Sequence, residues 1–166
     1  AAPAVLRNLK DPTSGADQLL DVALQGPASL AILQACAEYG GADNAQKKFE
    51  LAHIRRTDLI EIELAGIPLV IARTGYTGED VCFEIFVHPD RQVELWNLVL
   101  EKGRAFGLKP CGLAARDSTR TEAGLPLYGH ELAGPFDISP MEAGFPGYVK
   151  YHKPCVVGRD ALLARD

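Results

Sequence analysis

Apolar and polar residues alternate along Leu59-Ile60-Glu61-Ile62-Glu63-Leu64, and after Ala65-Gly66 a second apolar run extends from Ile67 to Ala72. A period of two sends successive side chains to opposite faces, so the pair reads as two strands of a β-hairpin joined by a tight turn. Asp21 to Gln25 reads as a short strand closed by Gly26, and Cys82 to Val87 as a strand rich in β-formers. Gly75-Tyr76-Thr77-Gly78-Glu79-Asp80, just before it, has the composition of a turn. Elsewhere the period lengthens. Pro27 opens a helix on which Leu30, Leu33, Gln34 and Ala37 recur, with Gly40-Gly41 as its stop. A polar stretch, helical or irregular, continues through Lys48. Between Asp90 and Phe106 the stripe Val93, Trp96, Val99 and Leu100 predicts the longest helix, ended by Gly107 and Pro110. A further helix covers Leu113 to Ala123. Ser139-Pro140-Met141-Glu142 has capping-box spacing, but Gly144 limits any helix there to about one turn. The tail reads as a strand near Tyr148 to Tyr151 and a helix from Gly158. Strands and helices so mixed, with hairpins between strands, predict an α+β domain with a mixed or antiparallel sheet and helices on one face. Residues 1–16 read as an irregular lead-in and 17–166 as the domain.

Composition narrows the function classes. The 166 residues are 47% hydrophobic and 23% charged with a formal charge of −5, the profile of one globular domain. No basic stretch is denser than Gln46-Lys47-Lys48, so the electrostatic footprint that nucleic acid demands is missing. Apolar runs such as Ile67 to Ala72 fall far short of the ~20 residues of a membrane helix, and a cytoplasmic protein is expected. Cys36, Cys82, Cys111 and Cys155 are too scattered for a CxxC pair or a Cys/His metal cluster, so buried free thiols and no metal site are the expectation. The chain opens on Ala1 without a methionine and reads as a piece of a longer protein.

Familiar phosphate cradles and the serine nucleophile elbow are absent. His130-Glu131 begins like a zinc-helix motif but has no second histidine at the required spacing, and Gly134-Pro135 would break the helix. Two charged residues occupy unusual settings. Alternation puts Val81, Phe83, Ile85 and Val87 on one strand face and Cys82, Glu84 and Phe86 on the other, so Glu84 has apolar neighbours on its own face. Such a carboxylate has to be solvated, paired or bound to a ligand, because desolvating it alone costs several kcal/mol. The helix from Leu113 carries Arg116, Asp117, Arg120 and Glu122. Asp117 and Arg120 are spaced for an intrahelical pair on a solvated face, whereas Arg116 could project its fork of donors into a cleft and grip a carboxylate.

Several strings occur together in one order: Val22-Ala23-Leu24-Gln25-Gly26-Pro27; Arg73-Thr74 with the turn Gly75 to Asp80, then Phe83-Glu84-Ile85; Gly112-Leu113-Ala114-Ala115-Arg116-Asp117; Leu127-Tyr128-Gly129-His130-Glu131-Leu132; and Glu142-Ala143-Gly144. Together they resemble the aminomethyltransferase (T-protein) family of the glycine cleavage system, from about Asp21 to Leu163. The resemblance implies a tetrahydrofolate-binding fold and transfer of a methylene unit to tetrahydrofolate from the lipoyl arm of the H-protein, with release of ammonia. It also implies that Glu84 grips the pterin and that Arg116 contacts the folate. A physical reason is available for the first: the amino-pyrimidinone edge offers two parallel N–H donors to the two oxygens of a carboxylate. The turn Gly75 to Asp80 then acts as a scaffold aiming this site.

The sequence also departs from the family. Family members are longer, and the N-terminal region that carries their catalytic aspartate is not recognisable here, so the resemblance assigns no catalytic residue to this chain. Val81-Cys82 stands where a glycine usually follows Glu-Asp. Lys153-Pro154-Cys155-Val156-Val157-Gly158 is similar to a string in a related folate-binding family that assists iron-sulfur cluster assembly, although a buried structural thiol is the expectation for Cys155. A folate-dependent demethylase relative is a further alternative, since the pterin site is shared.

Overall fold

The computed structural model describes residues 4–39 and 44–165. The chain divides into two compact units, Ala1–Arg116 and Asp117–Asp166. In the first unit four strands, β1 (Leu20–Gln25), β2 (Leu59–Leu64), β3 (Ile67–Ala72) and β4 (Cys82–Val87), form one sheet in the order β1-β4-β3-β2, every neighbouring pair antiparallel. The β2–β3 hairpin turns on Ala65 (φ 52°) and Gly66 (φ 74°). Both are left-handed, as a two-residue turn matching the strand twist requires.

Register decides what each face carries. Val22 lies opposite Ile85, Ile85 opposite Ile71, and Leu69 opposite Ile62. These side chains, with Leu24, Phe83 and Val87, share one face and are buried. Three helices complete the core: α1 (Ser29–Ala37), α2 (Asn44–His53) and α3 (Pro89–Gly103), with α1 and α3 packed on the sheet and α1 also against α2. The fold is α+β with an antiparallel sheet and helices, as the alternating segments predict.

Two helix faces differ from the expected stripes. On α1 the buried positions are Ser29, Ile32, Leu33, Cys36 and Ala37, while Leu30 and Gln34 sit half-buried at the margin. On α3 they are Leu95, Leu98, Val99 and Gly103, and Val93 and Trp96 are 70% and 39% exposed. Apolar residues run around much of α3, so spacing alone offers more than one stripe. Packing at Gly103 selects among them: a Cβ there would lie 2.3 Å from the Leu108 side chain, so a glycine must face it. The α3 start is capped by His88, whose Nδ1 accepts from the Asp90 N–H at 3.3 Å, with Pro89 in the first turn. Gly40-Gly41, the expected stop of α1, lies outside the described residues.

The second unit is built differently. Helix α4 (Leu113–Glu122) contains the boundary between the units, and after it come turns and the short α5 (Arg159–Leu163). Among the described residues of this unit only Arg120 and Ser139 are buried. Ser139 and Glu142 form the expected reciprocal cap: the Ser139 N–H donates to Glu142 Oε2 at 2.8 Å and the Glu142 N–H to Ser139 Oγ at 3.2 Å. No strand forms at Tyr148 to Tyr151. A 3-10 turn spans Pro146–Tyr148 and the Lys153 N–H closes a turn onto Lys150 O at 3.0 Å, and among the described residues no strand pairs with this segment to make a ladder.

All four cysteines are free. Cys36 and Cys82 are buried, and burial pushes the Cys36 thiol up to about 11. Cys111 and Cys155 are exposed, which corrects the expectation of a buried Cys155: its segment is turn and coil with no apolar layer to cover it. Among the described residues no helix is long and apolar enough to cross a membrane.

Candidate functional site

The sheet face opposite the core carries Asp21, Ala23 and Gln25 from β1, Cys82, Glu84 and Phe86 from β4, and Val70 and Ala72 from β3. Glu84 is half-buried, with Ala23 opposite it on one side and Ala72 on the other. Two such short neighbours leave a longer side chain standing clear of both. The Thr74 hydroxyl, just beyond β3, donates to Oε2 of Glu84. This partner is neutral, so it orients the carboxylate without cancelling its charge, and it leaves Oε1 and a second lone pair on Oε2 as acceptors. Asp21 lies diagonally across β1 on the same face. Its carboxyl is held above the ordinary carboxylate range, by burial first and by the negative charge of Glu84 second, against a smaller opposing pull from Lys10.

The loop between β3 and β4 is fastened to the sheet. Thr77 donates to Gln25 Oε1 at 3.0 Å, and Gln25 Nε2 donates to Phe83 O at 3.2 Å. Cys82 Sγ donates to Glu79 O at 2.9 Å, and the Gly26 N–H to Val81 O at 3.0 Å. At Gly75 a Cβ would stand 2.2 Å from Gln25 Oε1 and 2.5 Å from the Cys82 Cβ. Only a residue without a side chain lets the loop come this close, and the same approach sets where Thr74 meets Glu84.

Arg116 is half-buried, and its guanidinium lies 5.7 Å from the centroid of the Tyr76 ring, at the outer range of a cation–π contact. The two candidate residues therefore rest on one loop, Glu84 through Thr74 and Arg116 through Tyr76, two positions apart. Sequence reading missed Asp21 and Thr74. For Asp21 the signal was present, since strand parity alone puts it on the face of Gln25; for Thr74 it was not, because it falls outside any periodic segment.

In the second unit Arg120, 2% exposed, corrects the expectation of a solvated helix face. Its Nε donates to Asp117 Oδ1 at 2.7 Å, Nη1 to Glu131 Oε2 and to Leu125 O at 3.2 Å, and Nη2 to Asp117 Oδ1. The intrahelical pair exists, but a turn ten residues on closes over it. Glu131 also accepts the Leu127 N–H at 2.9 Å. The Arg120 guanidinium, followed by that backbone donor, holds its carboxyl down at about 2. Among the described residues no three His, Cys, Asp or Glu side chains gather to hold a metal ion.

With the sheet face and its loop laid out, comparison with known families decides the lineage: the chain matches the GCVT N-terminal domain over residues 7–153. It belongs to that family. Curated members similar to it include an aminomethyltransferase of Caldanaerobacter subterraneus subsp. tengcongensis, 44% identical over 147 residues, covering 89% of this chain and 36% of the relative. An aminomethyltransferase of Alkaliphilus metalliredigens is 46% identical over 144 residues, covering 86% of this chain and 36% of the relative. One from Streptomyces avermitilis is 45% identical over 142 residues, with 85% and 35% covered. The chain spans little more than a third of the length of these GCVT relatives.

Proposed function

We propose that this chain contributes one wall of a tetrahydrofolate site in a glycine cleavage aminomethyltransferase. The observation carrying the reading is the half-buried Glu84 carboxylate, oriented by a neutral hydroxyl on the sheet face opposite the core. Its free acceptor capacity matches the paired N–H donors of a pterin edge. Arg116, steadied beside Tyr76, supplies donors suited to a carboxylate of the folate tail. Residues 17–166 are the folate-binding part in this reading. In the complete protein the methylene carbon leaves the lipoyl sulfur and the amine nitrogen of the H-protein arm and bonds to two folate nitrogens, freeing ammonia and the lipoyl thiol. Bound folate supplies the nucleophilic nitrogens; the residues of this chain bind and orient it. Glu84→Ala in the complete protein raises the tetrahydrofolate dissociation constant by about 1.5 to 3 kcal/mol, or about 10- to 150-fold, measured by calorimetry. An unchanged constant overturns the reading.

One observation favours a second reading, a folate-binding protein that assists iron-sulfur cluster assembly: the thiol of Cys155 is exposed and free to react. On that reading Cys155→Ala disables maturation of cluster enzymes in cells, and normal maturation returns the case to the transferase.

A further inference from the structure

Arg120 has five N–H donors and a buried guanidinium, so each donor needs an acceptor. Four are met by Asp117, Glu131 and Leu125 O. The fifth, on Nη2, lies 3.3 Å from Nδ1 of His130. A guanidinium offers no lone pair and keeps its protons in a protein, so the ring nitrogen facing it has to be the acceptor. A hydrogen on Nδ1 would set donor against donor and strand a buried N–H. Asp117 Oδ1, 3.8 Å from Nδ1, is too far to accept from the ring and already accepts two bonds from Arg120. Glu131 Oε2 is likewise committed, to Arg120 and the Leu127 N–H.

We propose that Arg120 is a positioning residue that pins His130 as a neutral, Nε2-protonated imidazole, making this half-exposed ring a hydrogen-bond donor. The exposed edge of the ring then offers an N–H suited to an acceptor oxygen such as a carbonyl or carboxylate, and the ring does not serve as a base through Nδ1. The inference is independent of the folate reading, because it rests only on residues of the second unit.

Long-range proton–nitrogen NMR of the labelled chain at neutral pH tests it, with His130 assigned by comparison with His130→Gln. The expected spectrum shows the Nε2–H form in at least about tenfold excess, the ratio that a 1.4 kcal/mol preference gives. In Arg120→Gln the excess collapses toward the mixture of a free imidazole, and Arg120→Lys, which lacks the planar fork, restores it only in part. A dominant Nδ1–H form or an even mixture in the wild type overturns the proposal. So does an unchanged ratio in a folded Arg120→Gln chain. Should that variant fail to fold, the wild-type ratio decides alone.

Discussion

The first unit buries aliphatic side chains such as Leu33, Ile71, Ile85 and Leu95, whereas the second, among its described residues, buries only a guanidinium and a hydroxyl. The difference is physical in kind. Apolar burial is non-directional and roughly proportional to area, so it tolerates imperfect geometry and does not titrate. A buried guanidinium is stable only while all of its partners stay in place and ionised, so its contribution is directional and depends on pH. One part of the chain is thus held by what it hides from water, the other by how completely a charge is satisfied.

The contrast is sharpest at the core. Ile85→Ala, at a position with no exposure, lowers folding stability by about 2 to 5 kcal/mol in chemical denaturation; a loss below about 0.5 kcal/mol would remove the sheet's inner face from the account. Next comes Gly75→Ala. Its Cβ meets the Cys82 Cβ, which cannot swing away as a side-chain tip can, so a cost of about 1 to 3 kcal/mol follows, with weaker tetrahydrofolate binding in the complete protein as Thr74 shifts. Unaltered folate affinity in that variant would uncouple the loop from Glu84.

The smallest effect appears only in acid. Glu131 is held at about 2, below its ordinary 4.5, so its stabilising contribution is complete above about pH 4.5 and is lost as the pH falls toward 2. Asp21, held up, acts in the opposite sense, its contribution being present in acid and lost as the pH rises. Residue-resolved amide NMR on acidification therefore shows Leu127, whose N–H the Glu131 carboxylate accepts, loosening before Ile85, and Glu131→Gln removes that early step. Identical acid profiles for wild type and variant would mean that some other group titrates.

The same contrast explains which parts of the fold were legible. The β2–β3 hairpin could be read to its ends because alternation and the Ala65-Gly66 turn leave a local trace, and parity alone put Glu84 on the face away from Phe83 and Ile85. On α3 the trace was ambiguous, since Val93 and Trp96 are as apolar as Leu95 and Leu98, and only the packing that buries Leu95, Leu98, Val99 and Gly103 shows which side faces in. For Arg120 there was no trace. Its partners Leu125, His130 and Glu131 lie on a turn, and a network of hydrogen bonds has no period in the sequence. Tyr148 to Tyr151 misled in the reverse way, having strand composition without a strand to pair with.

The distribution of thiols has a practical consequence. Cys111 belongs to the first unit and Cys155 to the second, and both are open to solvent, while Cys36 and Cys82 are shielded. A maleimide donor–acceptor pair would therefore attach once to each unit of the unmodified sequence, and energy transfer between the two dyes would measure their separation in solution without any engineered cysteine.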